Sequence, residues 1–166
     1  MKYLIVFCLL SINVFSQDNT YRNRSLAKFI FYKINVIRAQ NGLDTLLWNV
    51  KLDSSSLLHA RQMALYNFFS HTNSYDTKYE KPKDRALVYG YKYKAIAENL
   101  AFYETSLESK ITEEEIAKKF ITNWVASKGH FKNIMNKEYK ETGVNIIKFI
   151  TKDRVKYYAV QNFGLE

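Results

Sequence analysis

Three side chains able to move a proton or bind a cation sit inside otherwise apolar words. His71 closes Phe68-Phe69-Ser70-His71, Glu98 lies in Ala95-Ile96-Ala97-Glu98-Asn99-Leu100, and His130 lies in Trp124-Val125-Ala126-Ser127-Lys128-Gly129-His130-Phe131. An imidazole titrates near neutral pH, and a carboxylate beside it can orient the ring or complete a coordination shell. Polar groups so embedded point to one shared site. Each also has a plainer reading, in which Glu98 accepts backbone N–H bonds in a bend and the two histidines fix loops. His59, mid-helix beside Ala60, reads as a core histidine. Ser127, His130 and Glu98 form a nominal nucleophile, base and orienter. No Gly-x-Ser-x-Gly elbow accompanies them, and the His-Glu-x-x-His signature of zinc proteases is absent.

The elements that must position these groups follow from periodicity. From Ser25, Leu26, Phe29, Ile30, Ile34 and Ile37 recur at helical spacing before the stop Asn41-Gly42. A second helix is expected from near Asp53 to about Asn67, burying Leu57, Ala60, Met63 and Ala64 and delivering Phe69 and His71 to a loop. Pro82 reads as the first residue of a short third helix that ends before Gly90. Residues 96–103 read as a short strand carrying Glu98. Thr112 and Glu115 form a capping box opening a helix with Ile116, Phe120 and Trp124 on its buried stripe, and Gly129 is expected to break it just before His130. Residues 144–150 and 155–163 are β-branched and aromatic and read as an antiparallel hairpin. Helices covering a small sheet give an α+β chain.

With Gly42-Leu43…Leu47-Trp48 upstream and Tyr158-Ala159-Val160-Gln161-Asn162-Phe163-Gly164 at the end, the three site words make five in a fixed order. This set resembles the CAP superfamily, the SCP/PR-1-like or cysteine-rich secretory protein family, from about Ile30 to Gly164. The resemblance implies an α-β-α sandwich with a small antiparallel sheet, and a surface cleft that two His and two Glu face. Word by word it assigns His71, Glu98 and His130 to that cleft. The fourth position, three residues after Trp124, is Ser127 where many relatives carry Glu. A serine hydroxyl is a poor ligand for a hard or borderline cation, so His71, Glu98 and His130 are expected to bind a divalent cation such as zinc only weakly. Asn99 and Gln161 would serve as hydrogen-bonding scaffold.

Composition bounds the rest. The 166 residues, 47% hydrophobic, suffice for one domain over residues 25–166. Residues 1–16, a basic start, an apolar run and small Val14 and Ser16, read as a secretory signal peptide cleaved before Gln17, and residues 17–24 as a flexible N-terminus. The only cysteine, Cys8, lies in that leader, so the mature chain would be exported without a thiol or a disulfide. Ile5-Val6-Phe7 before it lacks the small residue that lipid attachment prefers. No stretch approaches the ~20 apolar residues of a membrane span. The formal charge of +9, or +8 once Lys2 is removed, favours anionic surfaces. Lys78, Lys81, Lys83, Arg85, Lys92 and Lys94 form its basic segment, which reads as a solvated face; no nucleic-acid-binding spacing accompanies it. The leading expectation is a secreted, non-enzymatic module whose polar cleft binds a small ligand, a lipid or an envelope component. A metal-assisted or Ser/His hydrolase acting on peptide or envelope polymer is the alternative, and a purely structural domain with a vestigial cleft the third.

Overall fold

The protein is described by a computed structural model over residues 19–166. The leader, with Cys8, lies outside the described residues. Five strands and five helices follow in the order β1 (Thr20–Arg22), α1 (Arg24–Gln40), β2 (Leu47–Trp48), α2 (Val50–Tyr66), a 3-10 turn at Thr77–Tyr79, α3 (Pro82–Val88), β3 (Ala95–Ser106), α4 (Glu113–Ala126), α5 (Lys128–Ile134), β4 (Glu141–Ile150) and β5 (Arg154–Leu165). The sheet runs β1-β4-β5-β3 with antiparallel neighbours, and β2 adds two residues parallel to β4.

Successive residues of β5 serve opposite faces. Tyr157 and Ala159 join Ile30, Ile34, Ile116, Phe120 and Trp124 of α1 and α4, whereas Tyr158 and Val160 join Ala60, Met63 and Ala64 of α2. Burial on both faces explains why the hairpin reads as nearly continuous apolar runs rather than alternation. The molecule is thus an α-β-α sandwich. β3 is an edge strand, and the outward carbonyls of Glu98 and Leu100 are taken by Asn133 Nδ2 (3.4 Å) and Trp124 Nε1 (2.8 Å). Helices α4 and α5 therefore cover an edge that would otherwise be open to pairing.

Four expectations are corrected. Helix α2 begins three residues before Asp53, because Asn49 caps it and accepts from the N–H groups of Lys51 and Leu52. Strand β3 is twelve residues long, since β5 offers it a partner along its whole length. Residues 20–22 form a strand, not a flexible segment: Tyr21 lies opposite Lys148, and Arg22 Nη2 donates to both carboxylate oxygens of Asp53 (2.9 and 2.7 Å). Gly129 does not end α4. That helix stops when Ser127 turns to extended backbone, and Gly129 and His130 lie within α5.

Candidate functional site

Helix α2, a following loop and strand β3 build the site. The helix ends where Asn67 adopts left-handed backbone (φ 51°), and the chain turns back so that residues 68–71 run along β3. His59, on the inward face of α2, donates from Nε2 to the Ser70 carbonyl at 2.8 Å and fixes this turn. One residue on, His71 donates from Nδ1 to Glu98 Oε1 at 2.9 Å. The two differ sharply in exposure: the His71 side chain is 51% accessible and that of Glu98 1%. Glu98 is therefore a buried carboxylate that aims an accessible imidazole.

The other carboxylate oxygen is held from below. Arg85, on α3, donates to Glu98 Oε2 at 2.7 Å and to the carbonyls of Tyr79, Glu80 and His71. Asn162, opposite Glu98 across the β3–β5 ladder, reaches Oε2 at 3.2 Å with its amide nitrogen turned toward it. Burial alone would push Glu98 up, but the His71 hydrogen bond and the nearby His59 and Arg85 outweigh it and hold the carboxyl below the usual carboxylate range. An ionised Glu98 fixes the proton of His71 on Nδ1. In its uncharged form the accessible His71 ring then presents Nε2 to solvent as an acceptor.

Helix α5 supplies His130. Asn99, on the opposite face of β3 from Glu98, donates to the His130 carbonyl at 3.2 Å and accepts from Asn133 at 2.9 Å. These bonds fasten α5 to the strand. Burial, and then the charge of His71, lower the pKa of His130. Burial holds His59 down at about 4, with Glu98 opposing that shift.

Of the expected residues, His71 and Glu98 touch and His130 stands nearby. Ser127 plays a different part, in that its Oγ accepts from the His130 backbone N–H at 3.5 Å and caps α5. No hydrogen bond joins Ser127 Oγ to an imidazole among those of the described residues. The weak metal set of His71, Glu98 and His130 is not assembled either. Among the described residues no three His, Cys, Asp or Glu side chains are placed to hold a metal ion, and both oxygens of Glu98 are already engaged.

Arg85 lies elsewhere than its place in the basic segment predicts. It belongs to no solvated face; its side chain is fully buried on Glu98. One signal was available: it is the single arginine among five lysines of the basic segment, and a guanidinium fork, unlike an ammonium, can serve a carboxylate and several carbonyls together.

The family model described as "CAP: Cysteine-rich secretory protein family" matches residues 31–163. The chain is 30% identical over 129 residues to the uncharacterized membrane protein YlbC of Bacillus subtilis, covering 78% of this chain and 31% of that protein. It spans about a third of the length of the curated relatives it matches. Its fold is similar to that of an outer surface protein from Borrelia burgdorferi, with TM-score 0.68, 17% identity, and coverage of 87% of this chain and 96% of that one. It is also similar to an extracellular protein containing a SCP domain from Bacillus anthracis, with TM-score 0.66, 23% identity, and coverage of 86% and 41%. No helix among the described residues is long and apolar enough to cross a membrane. The ordered words of the sequence, the sandwich that carries them and these matches agree: the chain belongs to the cysteine-rich secretory protein (CAP) family.

Proposed function

We propose that this CAP domain is exported and non-catalytic, and that its cleft, formed by His71, Glu98 and His130, binds a small ligand or a component of the cell envelope. One observation carries the reading. The carboxylate that would have to serve as a base or a metal ligand is locked between Arg85 and His71, while an accessible, oriented imidazole is left facing solvent. A group that is aimed but lacks a nucleophile beside it is suited to recognition rather than turnover. Export is supported by the leader-like residues 1–16, and by relatives that are themselves an outer surface and an extracellular protein.

The test is a titration of the purified chain with soluble cell-wall fragments, followed by the ring C–H resonances of His71 and His130, beside assays for ester and peptide hydrolysis. The reading expects both rings to shift and no turnover. Hydrolysis abolished by Ser127→Ala and by His130→Ala would replace it with the hydrolase reading. Amino-terminal sequencing of exported material decides whether cleavage precedes Gln17.

A further inference from the structure

The loop that delivers His71 also delivers aromatic rings that folding has left in water. Phe69 is 50% exposed, Tyr75 62% and Tyr66 48%, and large apolar groups gathered at the surface call for a reason where singly scattered ones do not. These rings are held in place. Tyr75 stacks on Tyr66 with centroids 5.0 Å apart and planes 17° from parallel, and Phe68 reaches Tyr75 at 5.5 Å. Phe68 in turn meets His59 edge-on at 5.8 Å, and Phe69 lies on Phe102 at 5.9 Å. Glu98 and Phe102 are four residues apart on one face of β3, so their spacing is about 13 Å. His71 rests on the first and Phe69 on the second.

We infer that Tyr66, Phe69 and Tyr75 form a stacking platform for the pyranose rings of an uncharged glycan, with His71 at its end as the hydrogen-bonding anchor. The inference rests on the cleft being a binding site as proposed above, and names its ligand class. A pyranose has an apolar C–H face and a polar hydroxyl rim, so it needs flat rings on one side and a few neutral acceptors or donors at the edge. The platform offers both. Its charges are balanced: Glu98 is paired with Arg85, and Glu104, next along the same face, is bonded by Arg154 at 2.7 Å and faces Lys156 across the ladder. Lys156 also donates to Asn67 at 2.8 Å. The charged groups on this face of β3 are thus paired with one another and leave no free carboxylate beside the rings. Tyr75 is stacked on Tyr66 and Phe69 lies on Phe102, so little side-chain freedom is lost when a ligand settles on them.

The experiment titrates the chain with chitohexaose and with cellohexaose, both neutral pyranose oligomers, and separately with phosphatidylglycerol vesicles, while following the ring resonances of Phe69, Tyr75 and His71. At least one oligomer should shift all three. Phe69→Ala, Tyr75→Ala and His71→Ala should each weaken binding roughly tenfold, the scale of one lost stacking or hydrogen-bonding contact. All three side chains are half exposed or more, and unchanged core resonances verify that the variants are folded. The inference falls if neither oligomer moves the rings, if any of the three variants binds as the parent does, or if vesicles move the rings and the oligomers do not. Oligomer shifts confined to His71 would overturn the platform and keep the cleft. Failure of cell-wall fragments to shift His71 and His130 in the preceding titration would overturn the cleft itself.

Discussion

Arg85 sets the properties of the site more than any residue that faces it. It neutralises a carboxylate that is otherwise sealed from water, and it holds the backbone of His71, 3.2 Å from its carbonyl. Removing one partner of a buried ion pair costs about 3–5 kcal/mol, because the remaining charge has nowhere to go. Arg85→Met should therefore lower the unfolding free energy at pH 7 by about that amount in urea denaturation. Adding Glu98→Gln to the same chain should recover part of it. Equal stabilities for parent and Arg85→Met would show that water replaces the guanidinium. Trp124 is the contrasting case, since its place at the end of the Ile116, Phe120 stripe was legible in the sequence and it is fully buried, with Nε1 on the Leu100 carbonyl. Trp124→Ala should cost about 3–5 kcal/mol by the same measurement. The site histidines and Glu98 were legible for one reason: a polar group in an apolar word is conspicuous. Arg85 was hidden because a cation among lysines looks solvated, and only a partner distant in sequence reveals otherwise.

At the scale of elements, local signals are legible in the sequence and long-range ones are not. The Thr112 and Glu115 capping box spans three residues and appears as expected, with Glu115 N–H on Thr112 Oγ1 at 3.2 Å and Thr112 N–H on Glu115 Oε2 at 2.7 Å. The ends of α4 and of β3 depended on neighbours that periodicity cannot see. Gly129 looked like a helix stop, yet Ser127 breaks α4 and begins α5 in one residue, through its extended backbone and its hydroxyl. A glycine that does matter, Gly143, carried no local mark. A Cβ on Gly143 would lie 2.1 Å from the backbone nitrogen of Asp53, so α2 packs against β4 backbone to backbone. That approach lets Asn145 donate to the Asp53 carbonyl at 2.7 Å and to Ser56 Oγ at 2.9 Å. Gly143→Ala should destabilise the domain by about 1–3 kcal/mol or more, as overpacking does. Gly129→Ala, which meets nothing within 4 Å inside a helix, should stabilise it by up to about 1 kcal/mol. Calorimetric melting of the pair checks both, and a Gly143→Ala melting temperature equal to the parent's would mean that the two layers can slide apart without cost.

At the scale of the whole molecule, stability is tied to acidity through the core beneath His71 and Glu98. Cys8 is the only cysteine of the chain, so the described fold rests on its two apolar layers and its buried polar contacts without cross-links. Burial lowers the pKa of His59 from the ordinary 6.5 to about 4. Between those values the unfolded chain binds a proton that the native chain refuses, so stability falls as pH drops from 6.5 toward 4. Above 6.5 both states are neutral at this residue and no dependence remains. The loss across the window is about 3 kcal/mol, a large share of the 5–15 kcal/mol typical of a domain. His130, also lowered by burial, adds a slope of the same sign. Glu98 acts later: its carboxyl is held below 4.5 in the fold, so its contribution is complete above that pH and is lost as pH falls through its folded value. Urea denaturation from pH 8 to 3 should therefore give a plateau above about 7, a decline from 6.5 to 4, and a further decline beyond. His59→Gln keeps a side-chain donor near the Ser70 carbonyl but cannot titrate. It should flatten the decline between 6.5 and 4 and leave the later one in place. An unchanged slope in His59→Gln would assign the acid sensitivity to other groups and show that His59 takes up its proton without opening the core.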